Sequence, residues 1–198
     1  MSMMRWLSRF ALAGLFGLSV MCDVEAEDFS KYRQHRDFDQ YFSKYTKRYF
    51  GPAFDWKFFK AQAIAESNLI KDARSRVGAQ GIMQIMPRTY AEIQRKHKYI
   101  EGQISEPRWN IAAALWYDRQ LFEFWEKDRS LIERLRVTFA SYNAGKVNLL
   151  RAQRKAIDRG LNPHLWQSLE ETLPEVTGKR SHETIRYVER IEIIKEDI

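Results

Sequence analysis

The chain contains 198 residues, of which 44% are hydrophobic. This is enough for one sizeable core, because domains typically contain about 100 to 200 residues. Its only cysteine, Cys22, excludes an intramolecular disulfide and a zinc site built from several thiolates. A formal net charge of +7 favours anionic partners, although solubility alone also accounts for it.

Residues 1–26 have the pattern of a secretory signal peptide. Two arginines precede an apolar run, Phe10 to Met21, and the small residues of Val24-Glu25-Ala26 offer a cleavage site. Two alternatives stay open: lipidation of Cys22, and retention of the run as an anchor, although a bilayer span needs roughly 20 residues. We predict export to the periplasm or cell envelope, with a membrane as partner only if the leader is retained or lipidated. In that compartment a basic protein meets anionic lipids and peptide carboxylates, so no nucleic-acid partner is expected.

The rest of the chain is predicted to be mainly α-helical, because apolar residues recur at spacings of three and four and strand patterns are nearly absent. Residues 27–37 match no motif and are predicted as a flexible N-terminal segment, either a tether or a docking segment. Breakers and caps such as Pro87, Pro107 and Gly145 place the helix ends. In chain order, the predicted helices cover about 38–50, 56–69, 87–97, 108–125, 130–144, 146–159, 165–173 and 181–194.

Glu66 is the first candidate for chemistry. It lies near the end of a predicted helix that has apolar or small residues around most of its circumference, among them Trp56, Phe59 and Ile64. A carboxyl group beside so much apolar surface loses solvation, which raises its pKa and suits a general acid. The alternative, a helix-end glutamate turned to solvent, stays open on the sequence alone.

A loop with two glycines follows Glu66. Gly78 and Gly81 permit close approach of the backbone to a ligand, and Gln84 lies in an otherwise apolar run. A buried amide needs hydrogen-bond partners, which either a sugar group or the loop backbone can supply.

Tyr142 lies at the end of a later predicted helix, shortly before Gly145. Its hydroxyl can donate to a carboxylate, and its ring can stack on a sugar. The alternative is an ordinary helix end that the glycine caps.

Four motifs, in this order and spacing, resemble the catalytic domain of lytic transglycosylases of the soluble, goose-lysozyme-related type, the SLT domain. They are Glu66-Ser67, Gly78-Ala79-Gln80-Gly81-Ile82-Met83-Gln84-Ile85-Met86-Pro87, Ala140-Ser141-Tyr142-Asn143-Ala144-Gly145 and Glu183-Thr184-Ile185-Arg186-Tyr187-Val188. Ile82 departs from the commoner leucine. The stretch after Gly145 is most similar to the catalytic part of membrane-bound lytic transglycosylase F, whose sensor-like domain has no counterpart in this sequence. The resemblance implies a lysozyme-like, mainly α catalytic domain over residues 38–198.

The resemblance also implies an activity: cleavage of the β-1,4 bond between N-acetylmuramic acid and N-acetylglucosamine in peptidoglycan glycan strands, with a 1,6-anhydromuramic acid product. Glu66 would act alone as general acid and then base, because a group of the substrate replaces the second carboxylate of the usual scheme. No second acidic residue lies in the motifs near Glu66. Tyr142 would hydrogen-bond or orient Glu66.

The same resemblance implies roles for further residues. The sugar subsites would be lined by Ser75, Gln84, Met86, Tyr142 and Glu183, and Ser67 and Asn143 would be structural supports. Core packing is the competing interpretation for Met86, and a favourable charge at a helix start is the competing one for Glu183. No cofactor or metal is implied, because the four histidines are scattered without ligand spacing and are predicted on the solvated surface.

Three rival functions stay open. A goose-type lysozyme of the same fold would let water attack in place of the C6 hydroxyl of the muramic acid. A non-catalytic wall-binding module would leave Glu66 inert. An accessory of a cell-wall-spanning secretion machine or of a virion would differ in its partner and share the chemistry.

Overall fold

The computed structural model describes residues 27–198, so the predicted signal peptide and Cys22 lie outside the described residues. Within this range the chain forms helices and two isolated β-bridges, without a β-strand. The α-helices are α1 (Asp39–Phe50), α2 (Lys57–Ser67), α3 (Pro87–Lys96), α4 (Pro107–Phe124), α5 (Leu131–Ala144), α6 (Lys146–Asp158), α7 (Trp166–Thr177) and α8 (Ser181–Asp197), with short 3-10 helices at Ser30–Arg33 and Gly178–Arg180. The prediction of a mainly α fold is confirmed. None of the helices in 27–198 has the length and apolar character that crossing a membrane requires.

Local sequence signals place most helix ends as predicted. Pro87 and Pro107 open α3 and α4, where the N–H that proline lacks would have no partner within the helix. Gly145, at φ 86°, ends α5 in a backbone conformation that glycine adopts without strain. The hydroxyl of Ser130 caps the start of α5 by accepting a hydrogen bond from the backbone N–H of Glu133 at 3.3 Å.

Helix α7 is longer than predicted. The sequence indicates an end at Leu173, but α7 continues through Pro174. Proline removes one hydrogen bond from a helix interior. Leu173 is fully buried, and the hydroxyl of Thr172 donates to the carbonyl of Ala152 in α6 at 2.9 Å. After the proline, Glu175 pairs with Lys155 of α6 at 3.7 Å, so α7 contacts α6 on both sides of Pro174.

Residues 27–37 are packed on the helical domain. Phe29 and Tyr32 are 2% and 7% exposed and belong to the hydrophobic core. The guanidinium of Arg33 donates to the carbonyl of Asp197 near the end of α8. This differs from the predicted flexible segment, because two aromatic side chains tie a stretch with no recognisable motif to the core. The predicted domain boundaries themselves stay predictions.

Helix α2 passes through the interior between α1 and α8. Its six consecutive residues from Phe59 to Ile64 are all buried, and since a helical turn contains 3.6 residues the helix is enclosed on every side. Lys60 is among them; its ammonium pairs with Asp39 at 2.8 Å and donates to the carbonyl of His35 at 2.7 Å. The predicted burial of α2 on several sides is confirmed, and its last turn carries Glu66 to the wall of a cleft.

Candidate active site

A cleft of about 1070 Å³ opens on one side of the molecule, between the end of α2, the loop that follows it, the end of α5 and the start of α8. All six residues that the sequence analysis selects for catalysis or substrate binding line this cleft. They are Glu66, Ser75, Gln84, Met86, Tyr142 and Glu183. The structure thus brings together residues separated by up to 117 positions, from 66 to 183. Their roles in binding and catalysis stay predictions.

The carboxyl group of Glu66 is poorly solvated. Glu66 is half-buried at the end of the enclosed helix α2, and this burial raises its pKa from 4.5 to about 7. A hydrogen bond from Tyr187 acts in the opposite direction, and the negative charge of Glu183 raises the pKa further. Glu66 is therefore protonated over much of the range below pH 7 and can donate a proton to a molecule in the cleft.

The hydrogen bond to Glu66 comes from Tyr187 of α8 and not from Tyr142, whose role in orienting Glu66 stays a prediction. The Tyr187 hydroxyl donates to Glu66 Oε1 at 2.5 Å. The Tyr142 hydroxyl donates instead to the carbonyl of Met83 at 2.8 Å and so ties α5 to the loop. Burial raises the pKa of both tyrosines well above the ordinary value of 10.0, so both stay neutral donors. Tyr187 lies in the fourth motif, but the sequence alone does not show which tyrosine faces Glu66.

Two further carboxyl groups lie close enough to Glu66 to interact with it. Glu183, in the first turn of α8, is exposed in the cleft, and its charge raises the pKa of Glu66. Asp118 of α4 is fully buried, which raises its pKa, and the charge of Glu66 raises it further. Asp118 lies outside the four motifs, and the sequence alone gives no reason to select it.

The loop between α2 and α3 is held by hydrogen bonds of its own. The Ser75 hydroxyl accepts from the N–H of Ala79 at 2.9 Å. Gln84 Nε2 donates to the carbonyls of Ala73 and Gly81 at 3.2 and 2.8 Å, so the structural interpretation of this amide is correct, and the residue also lines the cleft. The loop therefore presents fixed side chains to the cleft.

Three residues around the cleft either act as supports, as the resemblance implies, or settle an open alternative. The Ser67 hydroxyl donates to the carbonyl of Ile82 at 2.8 Å, and the side-chain oxygen of Asn143 accepts from Thr184 at 2.8 Å, so both residues connect elements around the cleft. Met86 is 41% exposed, which excludes the interpretation that it packs in the core.

Asn110 of α4 clamps the same loop and was not selected from the sequence. Its side chain is fully buried. Its Nδ2 donates to the carbonyls of Gln80 and Ile104 at 3.0 and 2.9 Å, and its Oδ1 accepts from the N–H of Met83 at 2.8 Å. An added Cβ on Gly81 would lie 2.5 Å from Asn110 Nδ2, so this contact requires the glycine.

The side of the cleft formed by α8 and the residues before it is basic. Lys179, Arg186 and Arg190 line it together with His182. His182 is thus exposed on the cleft rather than on an unrelated surface. His97 departs from the predicted solvated position, because it is half-buried among the rings of Tyr49, Tyr99 and Trp116 and burial lowers its pKa. Within 27–198, His, Cys, Asp and Glu side chains do not gather in threes around a point that could hold a metal ion.

Comparison with known proteins gives a consistent result. A family model described as the transglycosylase SLT domain matches residues 40–164. Membrane-bound lytic murein transglycosylase F of Desulfosudis oleivorans is 31% identical over 149 residues, which cover 70% of this chain and 32% of that protein. The protein of the same name from Shewanella woodyi is 29% identical over 154 residues, which cover 77% and 31%. The chain therefore spans about a third of the length of these curated relatives.

Solved structures share the fold. The 70 kDa soluble lytic transglycosylase of Escherichia coli matches with a TM-score of 0.67 at 20% identity, over 85% of this chain and 25% of that one. Lytic transglycosylase Slt of Pseudomonas aeruginosa, solved as an inactive glutamate-to-glutamine mutant, matches with a TM-score of 0.62 at 22% identity, over 81% and 24%. Because the family model also covers more than half of its length, the chain belongs to the transglycosylase SLT domain family.

Proposed function

We propose that this chain is a peptidoglycan lytic transglycosylase, which cleaves the β-1,4 bond between N-acetylmuramic acid and N-acetylglucosamine and leaves a 1,6-anhydromuramic acid end. The observation that carries the proposal is Glu66, a carboxyl group whose pKa burial raises to about 7 at the wall of a large open cleft. The names of the curated relatives and the inactive glutamate-to-glutamine mutant of the Pseudomonas enzyme support it.

The mechanism needs one carboxyl group. Protonated Glu66 gives its proton to the glycosidic oxygen as the bond from that oxygen to C1 of the muramic acid breaks, and N-acetylglucosamine leaves with a free C4 hydroxyl. Glu66, now a carboxylate, takes the proton of the C6 hydroxyl while O6 bonds to C1. The group ends the cycle protonated, and no water is consumed.

Tyr187 fits this cycle because its hydroxyl can donate a hydrogen bond to Glu66 both as the protonated acid and as the carboxylate. Its hydroxyl donates to Glu66 Oε1, and a hydrogen bond to a charged acceptor is stronger than one to a neutral acceptor. Tyr187 therefore stabilises the carboxylate that exists between the two proton transfers, while burial keeps the resting group protonated.

The cleft also fits the charge of the proposed substrate. The peptides that substitute muramic acid carry carboxylates, and Lys179, Arg186 and Arg190 lie along one side of the cleft. An exported protein meets this polymer in the cell envelope, and we propose that compartment as its place of action. A wall-spanning machine stays a proposal that rests on the sequence analysis alone.

The proposed function is tested by incubating the chain with purified peptidoglycan and analysing the soluble fraction by mass spectrometry. We expect released fragments that end in anhydromuramic acid. Fragments with a reducing muramic acid end would identify a lysozyme of the same fold. Binding to the insoluble wall without any release would contradict an enzymatic function and favour a wall-binding module.

Tyr187→Phe is expected to shift the pH dependence of this activity. The activity of the wild-type chain should fall as the pH rises through about 7, because Glu66 loses the proton it donates. Since the Tyr187 hydrogen bond lowers the pKa of Glu66, its removal should move this midpoint upward. The rate at the optimum should fall about tenfold to a hundredfold, the value of a hydrogen bond to a charged group. The measurement is the rate of muropeptide release from pH 5 to 9.

Tyr142→Phe is the matched control for this profile. It removes a buried hydroxyl that bonds to the carbonyl of Met83 and not to Glu66. We expect a less stable loop and an unchanged midpoint. If the midpoint of the pH profile moved in Tyr142→Phe and stayed fixed in Tyr187→Phe, Tyr142 would be the tyrosine that interacts with Glu66.

A further inference from the structure

A polar pair lies inside the protein, next to Glu66 and outside the cleft lining. Gln62 of α2 and Asp118 of α4 are both 0% exposed. Gln62 Nε2 donates to Asp118 Oδ1 at 3.4 Å, which is long for a hydrogen bond. In residues 27–198 the other two oxygen atoms of the pair, Gln62 Oε1 and Asp118 Oδ2, are buried without a partner. Two buried acceptors without a donor are costly.

A single proton removes this cost. An ionised aspartate can only accept hydrogen bonds, whereas a protonated one also donates. With the proton on Asp118 Oδ2, the acid can donate to the carbonyl oxygen of Gln62 while it accepts from the Gln62 amide, which would satisfy both unpartnered atoms at once. The acid and the amide then form a closed pair with two reciprocal hydrogen bonds.

The charges around Asp118 favour the same protonated form. Burial raises its pKa well above the usual 3.8, the hydrogen bond from Gln62 lowers it, and the charge of Glu66 raises it again. The other titratable groups that interact with it are tyrosines: Tyr142 of α5, Tyr187 of α8 and its own neighbour Tyr117. None of the groups that shift the Asp118 pKa within the described chain is basic.

We propose that Asp118 is a protonated acid that forms a reciprocal pair with Gln62, and that this pair positions the turn of α2 that carries Glu66. Gln62 and Glu66 are four residues apart and therefore lie on the same face of α2. The pair fixes this face to α4. A neutral Asp118 also keeps a second negative charge away from Glu66 when Glu66 becomes a carboxylate. The inference rests on the proposed function in so far as Glu66 is the catalytic acid.

Two substitutions of Asp118 distinguish a neutral acid–amide pair from a site that needs a negative charge on Asp118. Asp118→Asn is neutral at every pH and retains one donor and one acceptor, so muropeptide release should keep the wild-type rate and pH profile. Asp118→Val has a similar size but no polar atoms, and leaves the Gln62 amide without partners. Its kcat should fall about tenfold to a hundredfold, as expected for a misplaced catalytic group, with KM unchanged because Asp118 does not line the cleft. An Asp118→Asn chain as slow as Asp118→Val would overturn the proposal.

A titration that needs no activity tests the protonation state itself. The carboxyl carbon signal of Asp118 is followed by NMR in Glu66→Gln and assigned by its loss in Glu66→Gln with Asp118→Asn. We expect the signal of a protonated acid to persist well above pH 3.8. A titration midpoint near 3.8 would overturn the proposal, even if the chain cleaves peptidoglycan. A chain that cleaves nothing but shows this protonated acid would contradict the proposed function and leave the acid–amide pair in place.

Discussion

Glu66→Gln should lower the rate of muropeptide release by about 10²- to 10⁴-fold, the usual contribution of a general acid or base. The amide has nearly the shape of the acid, but it has no proton to give to the glycosidic oxygen and cannot take one from the C6 hydroxyl. The variant should be at least as stable as the wild type above pH 7. The folded-state pKa of Glu66 is raised from 4.5 to about 7, so its carboxylate costs folding free energy as the pH rises through that window.

Glu183→Gln is the matched control for this substitution. Glu183 is also a glutamate of the cleft, but it is exposed, and its charge acts on Glu66 by raising the Glu66 pKa. We expect a modest loss of activity and a basic limb of the pH profile that moves downward. Rates and unfolding midpoints of both variants are measured side by side. If Glu183→Gln lost its activity and Glu66→Gln showed only a small effect, the general acid would be Glu183 and not Glu66.

Asn110→Ala should cause the largest loss of stability among single substitutions around the cleft. It removes three hydrogen bonds and leaves the N–H of Met83 and the carbonyls of Gln80 and Ile104 without this partner. At about 1 kcal/mol for each hydrogen bond, and more where a buried group stays unsatisfied, the free energy of unfolding should fall by about 3 kcal/mol or more. Because the loop carries Ser75, Gln84 and Met86, activity should fall too.

Asn148→Ala provides the comparison for Asn110→Ala. The Asn148 amide makes one hydrogen bond, to the carbonyl of Ala144 at 2.8 Å, in a partly buried position on α6. Its removal should cost about 0.5–1.5 kcal/mol in denaturant unfolding, the contribution of one hydrogen bond. Equal losses in the two variants would show that the three contacts of Asn110 do not hold the loop as the structure indicates.

The helices could be predicted largely from the sequence because their ends depend on local chemistry. Pro87, Pro107 and Gly145 act on the backbone next to them, and the structure places helix ends there. The prediction was wrong where distant packing overrides a local rule. The sequence predicts the end of α7 at Leu173, but the helix continues to Thr177 in contact with α6. Phe29 lies in a stretch without periodicity, and only the folded chain shows that the core contains it.

The cleft could be predicted in outline and not in its contacts. The motif residues line one cleft, but a single sequence does not show which side chain faces Glu66. Tyr142 and Tyr187 both lie in motifs, and the hydrogen bond across 121 positions comes from Tyr187. Asn110 and Asp118 lie in a helix whose apolar pattern gives no reason to select them, since their importance comes from partners 27 and 56 positions away.

Digestion of peptidoglycan in water enriched in the heavy oxygen isotope tests the claim that Glu66 drives attack by the C6 hydroxyl of the substrate itself. We expect fragments one water lighter than the reducing products, without heavy oxygen at C1 of the terminal muramic acid, and no such fragments from Glu66→Gln. Heavy oxygen at C1 in fragments of full mass would show that water is the nucleophile, and would contradict the claim.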